Sequence, residues 1–151
     1  MIDQIRDWLY ISGYRSAREG TYLREKGITA QLSLIDDIPK HEGITQLLLP
    51  IDDGVPVRQE KIAQGVAFLK EQRAAGKTIL VNCGAGISRS TLFCMAILME
   101  DEGLSLREAY EAVLKKHPEA LPHMKLGVCL AQYHGIRMSE MAWVTDVLRE
   151  A

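Results

Sequence analysis

The chain has 151 residues, 47% of them hydrophobic and 25% charged, and a formal net charge of −2. Such a chain is globular in composition, long enough for one domain that buries roughly 70% of its unfolded surface. Without a block of like charge or an apolar run near the ~20 residues that span a bilayer, neither a nucleic-acid nor a membrane partner is expected.

The N-terminus, MIDQIRDWLY, carries acids where a secretory leader has a basic region, so a cytoplasmic protein is expected. The cysteines at 83, 94 and 129 are odd in number and show neither CxxC nor zinc-ligand spacing, so no disulfide framework, metal or cofactor is expected. WLYIS (8–12) reads as a short strand, and residues 16–26 as a helix that ends at Gly27. In ITAQLSLI (28–35), alternation places Ile28, Ala30, Leu32 and Leu34 on one strand face, and ITQLLLPI (44–51) is a third strand candidate. The period changes over 57–73, where Ile62, Val66 and Leu69 share a helical face before Gly76. TILVN (78–82), short and apolar between glycines, reads as a buried central strand.

Everything beyond the next loop reads as helix. Residues 90–101 are apolar nearly all round, the mark of a buried helix, with Phe93, Cys94, Met95 and Met99 as core. Ser105 and Glu108 form a capping-box pair opening a helix that runs to His117 and stops at Pro118. A further helix starts near Pro122 and ends at Gly135, with Cys129 buried in it, and 137–151 reads as a final amphipathic helix. His117 and His123 flank the Pro-bounded connection and read as solvated or helix-terminal. The whole predicts one α/β domain over 1–151, with a central, mostly parallel sheet of four to five strands flanked by helices. A monomer is expected over a dimer, although an exposed apolar side of the last helix would support dimerisation.

The chemistry concentrates in VNCGAGISRS (81–90). A helix beginning near Arg89 presents unpaired N–H groups and partial positive charge. The small residues in front of it, Gly84, Ala85 and Gly86, let further amides turn inward, and with Ile87, Ser88 and Arg89 they make a nest for a tetrahedral dianion. The guanidinium of Arg89 can hold two phosphate oxygens at once. Cys83 faces the same field, and helix N-termini and cations favour the thiolate form of a cysteine. One arrangement can therefore bind a phosphate and attack it through sulfur. LPIDDGVP (49–56) supplies Asp52 and Asp53 as candidate proton donors to the leaving group, and Ser90 can hydrogen-bond the sulfur. No Gly-Lys-Ser/Thr follows the glycines, which excludes a Walker loop.

VNCGAGISRS resembles the signature loop of the cysteine-dependent protein tyrosine phosphatases, in particular the dual-specificity branch. DQIRDWLYISGYRSA, LREKGITAQLSL, LPIDDGVP and LSLREAYEAVLKKHPEALP resemble its opening strand, second strand, general-acid loop and later helices, over roughly residues 3 to 134. The resemblance implies Cys83 as nucleophile, Arg89 as phosphate clamp, Ser90 as the hydroxyl assisting breakdown of the intermediate, and Asp53 as general acid with Asp52 the alternative. It also implies a phosphorylated protein as substrate: the loop has none of the lysines of the inositol-lipid branches, and so short a chain implies a shallow pocket open to phosphotyrosine and phosphoserine/threonine. The family usually has His before the nucleophilic Cys, whereas this chain has Asn82, which puts thiolate activation in question. A phosphate-binding pseudophosphatase or adaptor, a phosphatase of RNA 5′-triphosphate or a small phosphate ester, and a sulfurtransferase are the rival readings.

Overall fold

The computed structural model describes residues 2–136. In chain order its elements are β1 (Ile2–Arg6), β2 (Leu9–Ser12), α1 (Tyr14–Ala17), α2 (Gly20–Glu25), β3 (Ala30–Ser33), β4 (Thr45–Leu48), α3 (Gln59–Ala74), β5 (Ile79–Asn82), α4 (Arg89–Glu102), α5 (Leu106–Lys116) and α6 (Met124–Tyr133). The strands form one sheet in the order β1-β2-β5-β3-β4. Only the β1–β2 hairpin is antiparallel; β5 lies between β2 and β3, parallel to both. Register aligns Ser12, Asn82 and Ser33 at the carboxyl edge of the three central strands. In open α/β sheets that edge is where ligand sites form.

Strand alternation divides the core in two. Ile79, Val81 and Cys83 join the larger cluster, under α3, α4 and α6, while Leu80 joins the smaller one with Ala17 and Leu23 of α1 and α2. Ala30, Leu32 and Leu34 lie in the larger cluster as the alternation predicts, but Ile28 does not. It precedes the first residue of β3 and packs with Leu23 on the opposite face. The helix expected over 16–26 is broken into α1 and α2: the chain leaves helical geometry at Glu19, and Gly20 packs tightly on the His41 ring.

The middle of α4 is buried without interruption from Ser90 to Leu98, so this helix passes through the interior. Gly65 of α3 sits directly against the Phe93 ring, where any Cβ would collide, and this allows the two helices to approach closely. The Ser105–Glu108 capping box is formed reciprocally, at 3.1 and 2.9 Å. Among the described residues no helix is long and apolar enough to cross a membrane. The helix expected over 137–151 lies outside the described residues.

Candidate active site

Between β5 and α4 the chain makes a loop whose carbonyls are turned outward. Gly84 O accepts from Tyr14 N at 2.9 Å, Gly86 O accepts from His117 Nε2 at 2.6 Å, and Ile87 O accepts from Leu121 N at 3.0 Å and from Thr91 Oγ1 at 2.7 Å. A planar trans peptide points its N–H opposite to its C=O. The amides of Ala85, Ile87 and Ser88 are therefore directed to the other side of the loop, as an anion-binding nest requires. Two glycines make the turn possible. Gly86 has φ +75°, and a Cβ there would lie 2.7 Å from Gly13 N; a Cβ on Gly84 would lie 3.0 Å from Arg89 Nη2.

Cys83 directly follows the buried strand β5 and is 1% exposed. Its sulfur receives the Gly86 N–H at 3.1 Å and lies 3.2 Å from Ser90 Oγ, in the first turn of α4. An anionic sulfur accepts such contacts more strongly than a thiol does. Arg89 Nη1 donates to Ile51 O at 3.0 Å and so ties the loop to the start of the acidic segment. Ser88 makes a second tie: its hydroxyl donates to Asp53 Oδ1 at 2.7 Å and accepts from His123 N at 2.8 Å. Asp53, Cys83, Ala85, Ile87, Ser88, Arg89, Leu121, Pro122, His123 and Met124 surround one pocket of about 390 Å³, while Asp52 lines a different cavity with Pro50, Val55 and Arg58.

Thus Cys83, Ser88, Arg89, Ser90 and Asp53, all singled out in the sequence, converge on one place. Asn82 stands where the family usually has His, and strand alternation turns its side chain to the opposite face from Cys83. There its Oδ1 accepts from Gln31 Nε2 at 2.9 Å and its Nδ2 donates to Ser33 Oγ at 3.0 Å, across the sheet to β3. His117, read as solvated or helix-terminal, is helix-terminal as the C-cap of α5, but it is buried at 4% exposure and spans from Asp3 to the loop carbonyl of Gly86. No local pattern announces that role, because its partners lie 114 and 31 residues away. His123 is exposed as expected, but it caps the start of α6, with Nδ1 accepting from Lys125 N at 3.2 Å. Cys94 and Cys129 are buried and unpaired; apolar surroundings hold the Cys94 thiol strongly in its neutral form.

Comparison with known proteins agrees with this geometry. The family model for the dual specificity phosphatase catalytic domain matches residues 9–135. Mouse dual specificity protein phosphatase 12 is 34% identical over 124 residues, covering 78% of this chain but only 36% of its own length. The crystal structure of human DUSP28 superposes with a TM-score of 0.80 at 26% identity, covering 88% of this chain and 95% of that one. That of DUSP15 does so with a TM-score of 0.78 at 27% identity, over 99% of this chain and 95% of its own. The chain belongs to the dual specificity phosphatase catalytic-domain family.

Proposed function

We propose that the chain hydrolyses phosphate monoesters on proteins, at phosphotyrosine and at phosphoserine or phosphothreonine, through a cysteinyl-phosphate intermediate. The observation that carries this reading is the loop with its carbonyls tied outward around a sulfur that already receives an N–H. In the first step the Cys83 thiolate attacks phosphorus: an S–P bond forms, the P–O ester bond breaks, and the Asp53 carboxyl gives its proton to the leaving oxygen. Ser88 occupies Asp53 Oδ1, which leaves Oδ2 to carry that proton. Water then attacks phosphorus and passes a proton to the Asp53 carboxylate, while the S–P bond breaks and Ser90 Oγ donates to the departing sulfur. The inward amides of Ala85, Ile87 and Ser88 and the Arg89 guanidinium hold the equatorial oxygens throughout.

The rim supports a protein substrate. Ile87 and Met124 are 38% and 44% exposed there, beside Leu121 and Pro122, and offer an apolar wall to an aryl or alkyl phosphate. We place the protein in the cytoplasm as a monomer without nucleic-acid or membrane partners, a reading supported by its three unpaired cysteines and evenly mixed charge. Phosphate release from phosphotyrosine, phosphoserine and phosphothreonine peptides tests the activity. Turnover is expected in the wild type and none in Cys83→Ser, which should still bind phosphate; equal turnover in both would overturn the proposal.

A further inference from the structure

Three loop carbonyls are turned outward, and their anchors differ in kind. Gly84 O is held by a backbone amide of the segment after β2, and Ile87 O by a backbone amide and a threonine hydroxyl. Gly86 O is held by the His117 ring, which in turn rests on Asp3 Oδ2 of β1 through Nδ1 at 2.5 Å. A carbonyl only accepts, so Nε2 is the donor to Gly86 O, and Nδ1 is engaged by the Asp3 carboxyl. It stands at the C-cap of α5. The ionisable side chains facing it are Asp3 from β1 and Glu119 from the following connection, and Lys115 and Lys116 precede it in the last turn of α5. Asp3, His117 and Glu119 lie close enough for ion ligation, but both His117 nitrogens are already engaged, so Asp3 and His117 act as a tether.

We infer that the Asp3–His117 pair is a positioning device for the phosphate site: it fixes the Gly86–Ile87 peptide so that Gly86 O points away from the bound anion and the Ile87 N–H points toward it. Without the tether that peptide can rotate, because glycine at 86 permits it. Rotation would exchange an N–H donor for a carbonyl oxygen facing a dianion. The inference rests on the phosphatase reading of the site.

The two amide replacements of His117 separate positioning from packing. Glutamine can place a donor where Nε2 lies and still reach Gly86 O, whereas asparagine mimics Nδ1 and reaches only Asp3. With p-nitrophenyl phosphate as substrate and tungstate as competing anion, His117→Asn should raise the tungstate inhibition constant about tenfold, the loss expected for one misdirected hydrogen bond. Its kcat/KM should fall at least as far. His117→Gln should stay within about threefold of the wild type on both measures. If Asn and Gln behave alike, whether both impaired or both unimpaired, the inference fails. Should His117→Asn not fold, Asp3→Ala, which removes the acceptor for Nδ1, carries the test: a severalfold weaker tungstate affinity is expected, and an unchanged one overturns the inference. A wild-type chain with neither tungstate affinity nor turnover would sink the phosphatase reading itself, a result distinct from either of these.

Discussion

Replacing Asn82 by leucine should cost the protein stability and leave the reactivity of Cys83 alone. The side chain is fully buried and makes two hydrogen bonds, from Gln31 Nε2 at 2.9 Å and to Ser33 Oγ at 3.0 Å. Leucine is similar in size, so no large cavity opens. Ser33 Oγ keeps its bond to Ile35 O at 2.8 Å and loses only one contact, worth about 1 kcal/mol. Gln31 Nε2 keeps Ala17 O at 3.2 Å, but its second N–H is left buried without a partner, a penalty of about 1–3 kcal/mol. The sum is roughly 2–4 kcal/mol, which in a domain of this size lowers Tm by about 5–15 °C. Calorimetry reads the stability, and the rate of iodoacetamide alkylation of Cys83 as a function of pH reads the thiol. The expected result is a lower Tm with an alkylation profile that superposes on the wild type. An unchanged Tm together with a displaced profile would refute the assignment of Asn82 to the sheet.

Asp53→Asn should lower kcat for phosphopeptides by about 10²–10⁴, with a smaller loss for activated aryl phosphates, while Asp52→Asn should have little effect. The reverse order in steady-state kinetics would move the general acid to Asp52. Gly86→Ala puts a Cβ 2.7 Å from Gly13 N and 2.8 Å from Ser12 C at a φ of +75°. Because both neighbours are backbone, kcat/KM and tungstate affinity should fall together by at least a hundredfold, about 2.7 kcal/mol. Near-normal kinetics in that variant would mean that the loop does not need its left-handed turn.

The parts legible in the sequence are those whose signal is local. Ile79–Val81 and the α4 run are apolar enough to demand burial wherever they pack, and the Ser105–Glu108 pair specifies its own helix start. The stretch from Cys83 to Ser90 likewise builds its turn from residues within reach of one another. β1 was less visible: it is an edge strand of mixed polar residues in which only Ile5 is buried, and its hairpin with β2 is irregular between Gln4 and Arg6. Ile28 lies just outside its strand, so period-two counting assigns it to the wrong face. The direction of the Asn82 side chain follows from a local rule, since the alternation that aims Cys83 at the pocket aims its neighbour away. The contacts of Ser88 and His117 depend on tertiary placement. Ser88 joins the acid segment to the start of α6, and His117 joins β1 to the phosphate loop, pairings that no local pattern encodes.

The central claim is that sulfur 83 carries the phosphoryl group, and trapping it is the most direct test. Ser90 Oγ is 3.2 Å from that sulfur, so Ser90→Ala should slow the second step more than the first. Rapid-quench mass spectrometry of this variant with p-nitrophenyl phosphate should show a p-nitrophenolate burst of about one per active site. It should also show a phosphoryl group on the peptide containing Cys83, with both signals absent when Cys83→Ser is added. A phosphoryl group on another residue, or turnover that survives Cys83→Ser, would contradict the claim.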